Sequence, residues 1–129
     1  MNMAINNESR ILVVDDSGAV RSIVRKLLSE LGYINVDEAS DGTAALEKMN
    51  EKLYSLVISD WNMAPMNGKE LLDRVFSIQK LKKTPFIMMT TESDQYKIIA
   101  AKYPIDIQFV NKPFSAETLQ TKISKIKAE

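Results

Sequence analysis

Cysteine and histidine are both absent from this chain of 129 residues. Without cysteine there is no disulfide, no thiolate nucleophile and no thiolate metal site. Without histidine there is no Ser-His or Cys-His catalytic pair and no ordinary zinc centre. An excess of either charge is also missing, since 17 Lys and Arg balance 17 Asp and Glu. The basic footprint of a nucleic-acid binder is therefore not present. No apolar run approaches the ~20 residues that span a bilayer. Met1 to Ser9 are polar and lack the apolar core of a secretion signal. The expectation is a cytoplasmic protein that binds neither nucleic acid nor membrane. No repeat, low-complexity segment or internal linker interrupts the chain.

What remains for chemistry is carboxylates, hydroxyls, Lys and Arg. That inventory suits a hard, oxygen-bound cation such as Mg²⁺. Apolar residues at 45% are enough to build one core, and the length allows one domain rather than two. Residues 1–8 are expected to form a flexible polar arm and residues 9–129 the folded domain.

Strand-like apolar runs alternate with stretches of helical period. Ile11-Leu12-Val13-Val14 reads as a strand buried on both faces. Ser17 to Leu31 carries Ala19, Ile23, Leu27, Leu28 and Leu31 at helical spacing, with Gly32 where the helix should stop. A weaker strand over Ile34–Ala39 precedes a helix from about Gly42 to Asn50. Leu56 to Ser59 is the next buried strand. Leu71, Leu72, Val75, Phe76 and Ile78 then form the stripe of a third helix. A strand over Pro85–Met89, a helix over Ser93–Tyr103, a strand over Ile107–Val110 and a helix capped by Ser115 complete the chain. Five strands and five helices in strict alternation predict an α/β domain: a doubly wound parallel sheet with right-handed crossovers.

In such sheets ligands bind beyond the carboxyl ends of the strands, at the switch point of the strand order. In the flavodoxin-like order 2-1-3-4-5 that point lies between the first and third strands. Asp15-Asp16 follows the first strand, Asp60 the third, Thr90-Thr91 the fourth and Lys112 the fifth. Each has an ordinary explanation alone: a helix cap, a turn residue, a strand-end hydroxyl, a solvated loop charge. Their joint placement at one sheet edge argues for a site. Three adjacent carboxylates repel unless positive charge sits among them, and Lys112 and a divalent cation would supply it.

The motifs Val14-Asp15-Asp16, Asp60-Trp61-Asn62-Met63, Thr90-Thr91-Glu92 and Lys112-Pro113-Phe114 resemble those of the response-regulator receiver family, and within it the stand-alone chemotaxis members. The match runs from Ile11 to Ile126. The resemblance implies that Asp60 accepts a phosphoryl group from the phosphohistidine of a histidine kinase. Asp16, Asp60 and the backbone carbonyl of Asn62 would bind Mg²⁺ directly, and Asp15 mainly through water. Lys112 and Thr90 would contact phosphoryl oxygens, and Lys112-Pro113 would be a cis peptide. Asn62 and Glu92 would tune hydrolysis. Thr90 and Phe109 would act as the switch, the aromatic ring turning inward when phosphate arrives. The output would be phosphorylation-dependent binding of a partner protein, in chemotaxis the flagellar-motor switch, by a monomer. The binding face would be that of the fourth helix, the last strand and the last helix, with Tyr96, Ile98, Ile99, Lys102 and Lys122 around Phe109. A phosphatase is a further implied partner. Catalysis would be limited to the chain's own phosphotransfer and dephosphorylation.

Three departures from the family's pattern stand out. Phe109 replaces the usual Tyr, Ala64 separates Met63 from Pro65, and Pro104-Ile105-Asp106 replaces a glycine before the last strand. Two other functions compete. A phosphate sink or relay intermediate would use the same site with a different partner. A haloacid-dehalogenase-type phosphatase would need an Asp two residues after the nucleophile, where Asn62 stands. A flavin carrier would need a phosphate loop that is missing after the first strand. A receiver detached from a DNA-binding regulator stays open, with no linker to suggest it.

Overall fold

The computed structural model describes residues 5–91, 98 and 101–126. Five strands form one sheet: β1 (Arg10–Val14), β2 (Asn35–Ala39), β3 (Leu56–Asp60), β4 (Phe86–Thr90) and β5 (Ile107–Asn111). All pairings are parallel and the order is β2-β1-β3-β4-β5. The helices are α1 (Gly18–Glu30), α2 (Gly42–Glu51), α3 (Gly68–Ser77) and α4 (Ala116–Ser124).

The continuous apolar runs make sense because both faces of the sheet are covered. Along a strand, side chains alternate between faces. Leu12, Val14, Val57, Phe86 and Met88 thus join one core with α2 and α3. Ile11, Val13, Ile58, Ile87 and Met89 join the other with α1 and α4. The helices bury matching stripes: Val24 and Leu28 of α1, Leu71, Leu72 and Val75 of α3, Leu119 and Ile123 of α4. Phe76, expected on the inner stripe of α3, is exposed on its flank instead. There its ring meets that of Tyr103 edge-on.

Helix ends follow local chemistry. Ser17 caps α1 by accepting from the Val20 amide at 3.2 Å. At the other end Gly32 takes a φ of 94°, and the Tyr33 amide donates to the Leu28 carbonyl at 3.0 Å. This closing turn needs a left-handed residue, which glycine adopts without strain. Asn67 and Glu70 form a reciprocal capping box on α3.

The chain was expected to hold five helices, and four are present among the described residues. The fifth, expected over Ser93–Tyr103, lies largely outside them. Its expected end is corrected: Ala101 and Lys102 form a turn and Tyr103 to Ile105 a bend. Pro104 disfavours helical geometry at the residue before it, so the helix cannot run through Tyr103. Within the expected arm, Ile5 packs against the α1/α4 core, and the Ile34 amide donates to the Asn7 carbonyl at 3.3 Å. Among the described residues, no helix is long and apolar enough to cross a membrane.

Candidate functional site

Strand register builds the site. β1 and β3 pair with Val14 opposite Ser59, so the next residues along, Asp15 and Asp60, emerge side by side. β4 lies beyond β3, and β5 pairs with it so that Thr90 stands opposite Asn111. The Lys112 amide then donates to the Thr90 carbonyl at 3.0 Å, bringing Lys112 over the same edge. Asp15 and Thr90 are each 1% exposed and Asp60 6%, while Asp16 is exposed.

The Lys112 ammonium lies between the two buried carboxylates. Its Nζ is 3.1 Å from Asp15 Oδ2 and 3.2 Å from Asp60 Oδ1. The second oxygen of Asp15 accepts from the Ser17 amide at 2.8 Å. Helix capping therefore belongs to Ser17, and Asp15 turns toward Lys112. Asp60 also accepts, weakly, from the Asn62 amide at 3.4 Å. Burial pushes the Asp60 carboxyl above its usual range; Lys112 pulls it down only in part, and Asp15 adds repulsion. Burial alone would lower the Lys112 ammonium, but the Asp15 hydrogen bond and the Asp60 charge outweigh it and hold Lys112 above the ordinary range.

One carboxylate oxygen from each of Asp15, Asp16 and Asp60 lies within 4.8 Å of the other two. Two buried acids and one exposed acid, all hard oxygen donors, fit a divalent cation that keeps some of its waters. The exposure of Asp16 and Asn62 leaves the entrance to solvent. An ammonium between two buried carboxylates, with a third acid beside them, concentrates charge that can attract a group carrying negative oxygens once a cation offsets the acids.

Behind this edge, Trp61 and Phe109 are both buried, with ring centroids 6.0 Å apart and planes at 45°. The Phe109 ring, expected to turn inward when phosphate arrives, lies inside the core in this structure. Gly68 permits the start of α3 to close on Trp61: its amide donates to the Trp61 carbonyl at 2.7 Å, and an added Cβ would meet Trp61 Cα at 2.9 Å. Both Lys112–Pro113 and Ala64–Pro65 are cis. Of the remaining expected residues, Glu92, Tyr96 and Ile99 lie outside the described residues. Ile98 and Lys102 are exposed, and Lys122 is half-buried. Tyr103, Ile105, Phe109 and Lys122 line a groove of about 470 Å³ beside β5.

Sequence reasoning missed Arg21 and Glu38. Arg21 Nη1 donates to the Asp15 carbonyl at 2.6 Å, and its Nε pairs with Glu38 Oε1 at 3.0 Å. Nothing local marks the pair, because Glu38 lies 17 residues away on β2. Tyr103 was singled out only as the end of a helix, yet its hydroxyl donates to Asp73 of α3.

Comparison with known proteins agrees with this geometry. The family model for the response regulator receiver domain matches residues 11–124. The chain is 38% identical over 126 residues to the chemotaxis protein CheY-3 of Vibrio cholerae serotype O1, covering 98% of this chain and 97% of that one. It is 40% identical over 117 residues to the chemotaxis protein CheY of Pseudomonas aeruginosa, covering 91% and 94%. Among solved structures, Vibrio cholerae CheY4 superposes with a TM-score of 0.84 at 34% identity, over 92% of this chain and 98% of that one.

Proposed function

The chain belongs to the response regulator receiver domain family, and from that premise we propose that it is a response regulator phosphorylated on Asp60 by a histidine kinase. Residues 9–129 would form the receiver, acting in the cytoplasm as a monomer. The observation that carries this reading is the Lys112 ammonium held 3.1 Å from Asp15 and 3.2 Å from Asp60.

Asp60 is the only one of the three acids that ends a central strand itself, and its carboxylate lies buried among the other two. Its oxygen attacks the phosphorus of a phosphohistidine; the O–P bond forms as the P–N bond breaks, and the imidazole of the kinase leaves with the electron pair. Such transfers have loose transition states, so catalysis is mainly alignment and charge neutralisation. Lys112 leaves its salt bridge with Asp60 for a phosphoryl oxygen while keeping Asp15. The Thr90 hydroxyl turns to a second oxygen. Asp15, Asp16 and Asp60 would hold Mg²⁺ together with the Asn62 carbonyl. When bound, that ion supplies positive charge that neutralises the transferring group. Asn62, two residues after Asp60 and exposed, leaves a path for the water that later hydrolyses the acyl phosphate.

The output would pass through the surface around β5. The groove beside β5 mixes the side chains of Tyr103, Ile105 and Phe109 with the charges of Asp106 and Lys122, a surface suited to an amphipathic peptide. Similarity to chemotaxis proteins favours a flagellar-motor component as that partner and a dedicated phosphatase as a second.

The deciding experiment is incubation with a small phosphodonor and Mg²⁺, followed by mapping of the acyl phosphate. Labelling at Asp60 that disappears in Asp60→Asn is expected. Labelling elsewhere, or undiminished in Asp60→Asn, would overturn the reading.

A further inference from the structure

Asp16 is the exposed member of the acidic cluster, and its direction depends on the peptide plane that joins it to Asp15. A peptide unit is planar and rigid. Fixing the Asp15 carbonyl oxygen therefore fixes the bond from which Asp16 departs. That oxygen is held by Arg21 Nη1 at 2.6 Å. The remaining polar atoms of Asp15 are held as well: its amide donates to the Ala39 carbonyl at 3.2 Å, and its carboxylate oxygens take Ser17 and Lys112.

Arg21 is itself braced. Its Nε pairs with Glu38 Oε1, and Glu38 sits on β2, directly opposite Val13 of β1. The guanidinium therefore ties the turn after β1 to the neighbouring strand. A bare cation this close would oppose the binding of a divalent ion. Glu38 offsets that charge, so the arginine can act through geometry. Arg25 Nη1 also pairs with Glu38, at 2.9 Å, but on the exposed side.

We infer that Arg21 is a positioning residue: braced by Glu38, it clamps the Asp15–Asp16 peptide and aims both carboxylates at the cation. This inference rests on the metal-dependent reading given above. Groups that orient metal ligands from behind commonly change affinity by ~10–100-fold when removed.

The test is calorimetric titration of the purified full chain with Mg²⁺, beside thermal unfolding of each variant. Arg21→Ala should bind Mg²⁺ about tenfold more weakly than the parent. Arg21→Lys can still reach the carbonyl but loses the two-pronged brace, and should fall in between. Glu38→Gln keeps an acceptor for Nε and should bind better than Glu38→Ala. Arg25→Ala should stay within about twofold of the parent, as an exposed pair contributes little. Val24→Ala, a buried change in the same helix, sets the effect of lost stability alone. Parental affinity in Arg21→Ala would overturn the inference. So would a loss in Val24→Ala as large as that in Arg21→Ala. If Arg21→Ala does not fold, parental affinity in Arg21→Lys overturns it instead. Absence of Mg²⁺ binding by the parent chain would strike the metal-dependent reading itself, a result distinct from any of these.

Discussion

The rings of Trp61 and Phe109 meet at 6.0 Å, tilted by 45°, in the core behind the acidic edge. Trp61 is the residue after Asp60 and the only tryptophan, so its emission should report on both the acidic edge and the Phe109 ring. Mg²⁺ titration should change Trp61 fluorescence, and Asp16→Ala should weaken that response at least several-fold. Phe109→Ala should shift the emission to the red even without Mg²⁺, because the ring excluding water from the indole is gone. An unchanged spectrum in Phe109→Ala would argue against this contact in solution.

Lys112 should couple phosphate to output. Peptides from a flagellar-motor component should bind the phosphate-mimicked chain more tightly, by a factor within the ~5–150 range that ~1–3 kcal/mol of coupling supplies. Lys112→Ala should remove that difference while leaving the circular dichroism spectrum unaltered. Equal affinity of the two parent forms across motor peptides would favour the sink or relay.

The acyl phosphate should be short-lived, lost in seconds to minutes, because Asn62 is polar and exposed at the mouth of the site. Asn62→Met should lengthen that lifetime by crowding the approach of water. Decay is read from loss of radiolabel after the donor is removed. Persistence for hours in the parent chain would point to phosphate storage.

A pH effect on stability should appear away from the site, at Asp37 and Tyr54. The Tyr54 hydroxyl donates to Asp37 Oδ2 at 2.6 Å. That hydrogen bond lowers the Asp37 carboxyl below its usual range, with burial opposing and Lys52 assisting. Burial and the Asp37 charge raise the Tyr54 hydroxyl in turn. The stabilisation is present in full above the unfolded value of about 4 and is lost as pH falls through the lower folded value. Tyr54→Phe should therefore cost about 1 kcal/mol at pH 7. Urea titrations should show the gap between the two proteins closing below pH about 4. A gap that does not change between pH 7 and 3 would exclude the charge-assisted bond as its source.

Gly68→Ala tests the close approach of α3 to the site. Its Cβ would meet Trp61 Cα at 2.9 Å and the Trp61 carbonyl oxygen at 3.2 Å. Backbone cannot yield as a side-chain tip does, so a loss of about 1–3 kcal/mol is expected. A shift in Trp61 emission should accompany it. Unaltered stability would mean that the turn from Asp60 to Asn67 relaxes freely.

The alternating apolar runs and helical stripes, with Ser17, Gly32 and Ser115 as punctuation, were enough to determine an α/β sheet. Strand ends could then be located to within a residue or so. Because a parallel sheet gathers its carboxyl ends on one side, Asp15, Asp16, Asp60, Thr90 and Lys112 could be grouped from their places in the chain alone. What the sequence could not state is which groups touch. The Lys112 bridge depends on β4 and β5 pairing with Thr90 opposite Asn111. The Arg21 clamp depends on β2 lying beside β1 with Glu38 opposite Val13. The Tyr103–Asp73 bond joins residues 30 positions apart, and Phe109 of β5 meets Trp61, the residue after β3, across the intervening β4. Periodicity is a local property, set by backbone geometry over a few residues. Contacts between distant side chains arise from strand order and register, which are settled by how the two cores pack.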